Sequence, residues 1–251
     1  MTVNCVGGNH LMSAPSFAVM APRYQRLWDG MHIKAGYDTM FDRAAAKCEA
    51  GLPEYEKVFE ATGVPPAWTM LTHKMEGDCN FRTHLHNGDP LTARTVHVPR
   101  GRPAAPPRSG HLPYTWEESA EDALRYQGYN KIKAWSLLRF LYLWEAYNGW
   151  GYYYHGINSP YLWSFSNNYV SGRYVSDGVW SSSSVSKQVG AAVLLKWIMA
   201  SDPGFKLVPD AVPAPEADHV AMLDGMVFNA ESWTTPCSRC ELVDDVDTDI
   251  A

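Results

Sequence analysis

The sequence predicts a mainly α fold of α+β character: helices bundled around a substrate cleft, with a small hairpin inside one long loop. Three observations carry this. Apolar residues recur at helical spacing in several windows between residues 36 and 200. Gly and Pro cut those windows into pieces of ordinary helix length. Alternation of the strand type is brief, at Thr95-Val96-His97-Val98.

With 251 residues and 46% hydrophobic content, the chain has ample material for a core, as one large domain or two small ones. A net charge of -6 with 19% charged residues excludes both a disordered chain and a basic nucleic-acid binder. No apolar run is long enough to span a membrane. The first thirty residues show no basic start followed by an apolar block, so synthesis in the cytoplasm is expected.

Residues 1–22 show no period and are expected as coil. Asp38 suits an N-cap, and a helix follows through Ala44-Ala45-Ala46 until Gly51 and Pro53 break it. Pro53 opens a second helix that ends near Gly63, a good residue for a left-handed stop. A third runs from Ala67 to Glu76, with Trp68, Leu71 and Met75 on one face. Between Gly77 and Pro113 the period fails, and Thr95 to Val98 is expected as a strand of the small hairpin. Thr115-Trp116-Glu117-Glu118 fits a capping box and starts a helix to about Tyr126. Another is expected from about Ile132 to Tyr147, and a last from Ser184 to Ala200, where Val189, Val193, Leu194 and Trp197 fall at helical spacing. From Pro203, Pro, Ala and Asp accumulate. The expected organisation is an N-terminal extension (1–35), a catalytic domain (36–202) and a C-terminal arm (203–251).

Charge is uneven. Leu91 to Pro113 carries Arg94, Arg100, Arg102 and Arg108 with no acid, whereas the end of the chain is acidic. Such runs are usually solvated surface, although a basic loop beside a cleft would also meet an anionic substrate. Cys5, Cys48 and Cys79 are scattered. Cys237 and Cys240 form one CxxC with no second pair, a weak metal signal.

Glu76 is the leading candidate for chemistry. It ends an apolar helix and precedes Gly77, so its carboxyl leaves a packed face and enters a loop-lined space. A carboxyl desolvated against Trp and Met side chains has a raised pKa and keeps its proton near neutrality, as a general acid must. Met75-Glu76-Gly77-Asp78-Cys79-Asn80-Phe81 resembles the element around the catalytic Glu of soluble lytic transglycosylases and goose-type lysozymes. Further on, Glu145-Ala146-Tyr147-Asn148-Gly149 is similar to the Ala-Tyr-Asn-Gly motif of the same families. The segment Thr83 to Arg102 resembles uncharacterised lysozyme-like proteins of phages and bacteria. Gly77 replaces the usual Ser, and the Gly-Leu-Met-Gln motif of transglycosylases is missing.

The resemblance implies a lysozyme-like fold that cleaves the β-1,4 bond between N-acetylmuramic acid and N-acetylglucosamine. Glu76 would protonate the leaving oxygen, while Tyr147 and Asn148 hold the sugar and Asn80 joins the binding set. An inverting hydrolase also needs a carboxylate to activate water, about 6.5–9.5 Å from the acid. Asp89, in the Asn87-Gly88-Asp89-Pro90 turn, is the first choice, with Thr92 helping to hold the water; Asp78 and then Asp177 follow. A lytic transglycosylase needs no second carboxylate, because the sugar's N-acetyl group assists.

Aromatic residues crowd Phe140 to Trp180, fourteen of the chain's 32. Trp135 and Trp144 fall at core positions, whereas Trp150, Tyr161 and Trp163 are candidates for stacking on sugar rings, with Asn158 for the hydroxyls. His73, His84, His86 and His97 match no known metal spacing and are expected to brace the loop around Asp89. No metal or cofactor is expected. The expected protein is a monomeric muramidase of the phage-endolysin type whose partner is peptidoglycan, made in the cytoplasm and acting on the wall after release. Lytic transglycosylase, chitinase-like hydrolase, non-catalytic wall binder and metal-dependent amidase are the alternatives.

Overall fold

A computed structural model describes residues 14–176 and 178–209. Its described part is mostly helical, with one small two-stranded sheet. No helix among the described residues is long and apolar enough to cross a membrane.

The first helix, α1 (Phe17–Asp29), replaces the coil expected over its first residues. Ser16 caps it, accepting from the Val19 N–H, and Pro22 inside it obscures the period in the sequence. Met20 and Tyr24 nevertheless reach the core. Helices α2 (Asp38–Glu49), α3 (Leu52–Thr62) and α4 (Pro66–Gly77) follow the expected punctuation closely. Gly63 stops α3 at φ 73, a conformation that costs glycine no Cβ clash. Asp38 lies in the first turn of α2 rather than at its cap, which is Tyr37.

Helix α4 is the axis of the fold. Ala67 through His73 and Met75 are all buried, so it is enclosed nearly all round rather than on the single face expected. It packs against α2, α3 and a late helix, α9 (Ala191–Ser201). The capping box at Thr115 and Glu118 forms in full and starts α5 (Trp116–Tyr126), which packs on α3. Helix α6 (Leu137–Asn148) begins later than expected because the Ser136 hydroxyl caps it at the Arg139 N–H. α1 lies along α6, and the Trp144 indole N–H donates to the Thr72 hydroxyl at 3.0 Å, joining α6 to α4 inside the core.

After α6 come two single-turn helices, α7 (Gly151–Tyr154) and α8 (Pro160–Trp163). An antiparallel pair follows, β1 (Arg173–Ser176) with β2 (Val179–Ser181), which the sequence pattern did not announce. Conversely, Thr95 to Val98 forms no strand. The Asp89 carboxylate takes the Val96 and His97 N–H groups that a partner strand would have used. The last helix starts at Ala191, not Ser184. Gly190 is its extended cap: its N–H donates to the Ser164 carbonyl at 3.2 Å, and a Cβ there would fall 2.3 Å from the Leu162 carbonyl oxygen.

Candidate active site

The end of α4 is shaped by two successive left-handed residues, Asp78 (φ 49) and Cys79 (φ 56). They turn the chain sharply out of the core just past Glu76. Asp78 is clamped between Lys47 of α2 and Lys74 of α4. Burial raises its pKa, and the two ammonium groups outweigh that and bring it below the usual carboxylate value. Asp78 is therefore a brace for this turn, and the ion pairs occupy the carboxylate proposed as second choice for activating water.

Glu76 is half-buried, and its Oε1 accepts a 2.8 Å hydrogen bond from the Tyr161 hydroxyl of α8. Tyr161 is held in turn. The Ser159 hydroxyl caps α8 by accepting from the Tyr161 N–H, and the same oxygen accepts from the Asn148 side-chain amide at 3.2 Å. Residues of the two sequence motifs, Glu76 and Asn148, are thus linked through α8. Tyr147 is half-buried beside them. Its hydroxyl donates to the Leu85 carbonyl at 3.1 Å, and its ring meets Trp68 and Tyr129. The Tyr129 hydroxyl is buried without a hydrogen-bond partner; burial first, and then the negative charge of Glu76, push its pKa up.

Asp89 has a different environment. It is 3% exposed, and it accepts from the Val96 and His97 N–H groups, the Asn87 amide and the His97 ring at 2.6 Å. Burial raises its pKa, but these donors outweigh it and bring the value down to about 2. A carboxylate saturated this way is a poor base, because protonating it breaks the bonds that order the loop. The expected role in activating water is replaced by that of a loop staple. Thr92 is exposed, and so is Asn80, whose side-chain oxygen accepts from the Arg82 N–H in a local turn.

Two further expectations change on burial grounds. Trp163 is 0% exposed and belongs to the core, as does Trp144, so it offers no face to a sugar. Tyr161 is 7% exposed and presents its hydroxyl to Glu76 rather than an open ring. Trp150 is half-buried and packs its ring on Tyr142 and Tyr153. Asn158 lines a surface pocket of about 340 Å³, where it accepts from the Arg23 guanidinium at 2.8 Å and donates to the Asn168 carbonyl. Asp177, Cys5, Cys237 and Cys240 lie outside the described residues.

Three of the four histidines brace the loop around Asp89, and His73 does not. His84 bonds to Ser119 and the Ala93 carbonyl, His86 to Asp122, and His97 to Asp89. His73 stacks on Trp116 and pairs with the Tyr55 hydroxyl; burial brings its pKa down to about 4, so it is neutral at physiological pH. Arg102 joins this frame through a two-pronged pair with Asp122. Among the described residues no group of three or more His, Cys, Asp or Glu is placed to hold a metal ion.

Sequence reasoning overlooked Glu145, although it opens the second motif. It is 3% exposed in the middle of the core, bonded to the Tyr24 hydroxyl at 2.8 Å. Burial raises its pKa to about 7, with Tyr24 and Arg23 opposing. A lone acid within the apolar run Phe140 to Ala146 was the available signal. Set against known proteins, the chain matches no family model, and neither a curated protein nor a solved structure proved similar to it.

Proposed function

We propose that this protein cleaves the β-1,4 bond between N-acetylmuramic acid and N-acetylglucosamine in peptidoglycan, with Glu76 as the general acid, on a lysozyme-like helical scaffold. One observation carries the reading. The carboxyl at the end of the largely buried helix α4 is joined, through Tyr161 and Ser159, to the Asn148 side chain of the second motif. A tyrosine hydroxyl on one carboxyl oxygen fixes the plane of the group, so a proton on the other oxygen has a defined direction towards a glycosidic oxygen. Asn148 holds the Ser159 hydroxyl that caps Tyr161, and Tyr147 anchors the neighbouring wall through Leu85. In this reading the wall polymer is met after the protein leaves the cytoplasm, and the protein acts as a monomer.

The saturated Asp89 favours lytic transglycosylation as the second reading. With Asp89 and Asp78 both engaged, the substrate's own N-acetyl group would supply the assistance and a 1,6-anhydro end would form. Chitin-like chains of N-acetylglucosamine fit the same acid. The test is digestion of purified cell walls by the folded wild type and Glu76→Gln. Clearing by wild type and loss of at least 100-fold in the variant are expected. Mass spectrometry of the fragments then separates anhydro-muramyl ends from reducing ends. Near-wild-type clearing by a folded Glu76→Gln protein ends the proposal. Wall binding with no fragment release at any pH identifies a non-catalytic binder instead.

A further inference from the structure

Two thiols that this chemistry does not use lie against each other beneath the turn that follows Glu76. Cys48, in the last turn of α2, is 0% exposed, and Cys79 is 7% exposed. Their Sγ atoms are 3.8 Å apart, in contact but unbonded. Their approach is imposed from both sides. The Lys47 and Lys74 clamp on Asp78 draws the end of α2 to the end of α4, next to Cys48 in one direction and Cys79 in the other. The left-handed backbone at Asp78 and Cys79, with the Cys79 N–H donating to the His73 carbonyl at 3.3 Å, aims the second thiol inward. Hydrogen bonding from Cys48 favours the Cys79 thiolate, burial opposes it, and Tyr55 and Lys74 add further support, so Cys79 is the more acidic of the two.

We propose that Cys48 and Cys79 are a modification site: they form a reversible disulfide with a low-molecular-weight disulfide such as glutathione disulfide, tying α2 to the turn that carries the Glu76 end of α4. The Cys79 thiolate attacks one sulfur of the small disulfide and displaces the first small thiolate. Cys48 gives up its proton, and its sulfur attacks the Cys79 sulfur of the mixed disulfide, displacing the second. Two electrons and two protons pass from the protein thiols to the small disulfide, which leaves as two thiols. Stabilisation follows from the loop that the bond closes in the unfolded chain, residues 48 to 79, and a native pair already in contact adds little strain. The bond would form once the protein leaves a reducing compartment.

The test uses the full-length protein, folded, at pH 8. It is incubated with glutathione disulfide, alkylated and mapped by peptide mass spectrometry, so that Cys5, Cys237 and Cys240 are tracked separately. Expected are a linked peptide joining Cys48 to Cys79, a rise in Tm of about 5–10 °C, and reversal of both by dithiothreitol. The Cys48→Ser variant should stall as a glutathione adduct on Cys79 with no rise in Tm. The proposal is overturned if Cys48 and Cys79 both remain alkylatable after unfolding of the treated protein, if either links to another cysteine, or if the linked form melts no higher than the reduced one. None of these readouts needs enzymatic activity, so they stand or fall apart from the function proposed above.

Discussion

The Glu76 end of α4 and the Asp89 turn each present a carboxylate, and they differ in what surrounds it. Glu76 meets a hydroxyl on α8 contributed from 85 residues away in the chain. Asp89 is enclosed by donors from its own loop, with Val96 and His97 only 7 and 8 residues on. Local donors within one loop saturate an acid easily, because few residues must be ordered to bring them together. A partner distant in the chain reaches an acid only once packing has brought two helices together. The comparison teaches that turn chemistry around an aspartate, which made Asp89 attractive in the sequence, is also the mechanism that occupies it.

The largest expected effect tests the first half of this contrast. Glu76→Gln should lower the initial rate of wall clearing by about 100- to 1,000-fold, or roughly 3–4 kcal/mol of barrier, with an unchanged circular dichroism spectrum. The second half follows with Asp89→Ala. Losing a buried carboxylate with several donors should cost about 3 kcal/mol of stability and lower Tm by roughly 10 °C. Turnover at a temperature where the variant is folded should stay within threefold. If Asp89→Ala instead abolishes turnover in a folded protein, the contrast between the two acids is broken and Asp89 returns as a catalytic group.

The Asp89 turn and the core acid Glu145 of α6 differ in the sign of their pH dependence. Asp89 is ionised far below its unfolded pKa, so its contribution is complete above about pH 4 and is lost as pH falls towards 2. Glu145 has a raised pKa, so its destabilising share is absent below about pH 4.5 and grows as pH rises through about 7. Between about pH 4 and 6.5 His73, buried and neutral with its pKa brought down to about 4, raises stability as pH rises and opposes this share. The Glu145 share is therefore read from the difference between the Tm profiles of wild type and Glu145→Gln, which keeps an acceptor for Tyr24: the variant should gain on the order of 2 kcal/mol over wild type between pH 4.5 and 8. A difference that stays constant across that range would show that Glu145 does not titrate there.

The smallest expected effect refines the Glu76 environment. Tyr161→Phe removes the hydroxyl at Oε1 and should reduce clearing about fivefold, near 1 kcal/mol, while shifting the pH–rate profile. An unchanged profile would mean that Tyr161 packs against the site without orienting the acid.

Much of the framework was legible from residue order. Gly51, Gly63, the Pro65-Pro66 pair and the Thr115 capping box mark helix ends through contacts within a turn or two, and the observed ends agree. Helix α1 was obscured because Pro22 lies inside it, and the start of α9 because the close approach of Gly190 to α8 has no local signature. The aromatic crowd from Phe140 to Trp180 could not be sorted by composition. Trp163 and Trp150 both have small polar or glycine neighbours on their C-terminal side, yet one is sealed in the core and the other half-buried.

Sequence by itself determined where most helices stop and that Glu76 closes an apolar one. Both depend on residues that meet through short-range sterics and hydrogen bonds. Tertiary structure alone decided which acid is met by a distant hydroxyl, which tryptophan reaches the surface, and that Glu145 is buried against Tyr24. Those outcomes rest on pairs as much as 121 residues apart. Chain order says nothing about such pairs until packing brings the helices together.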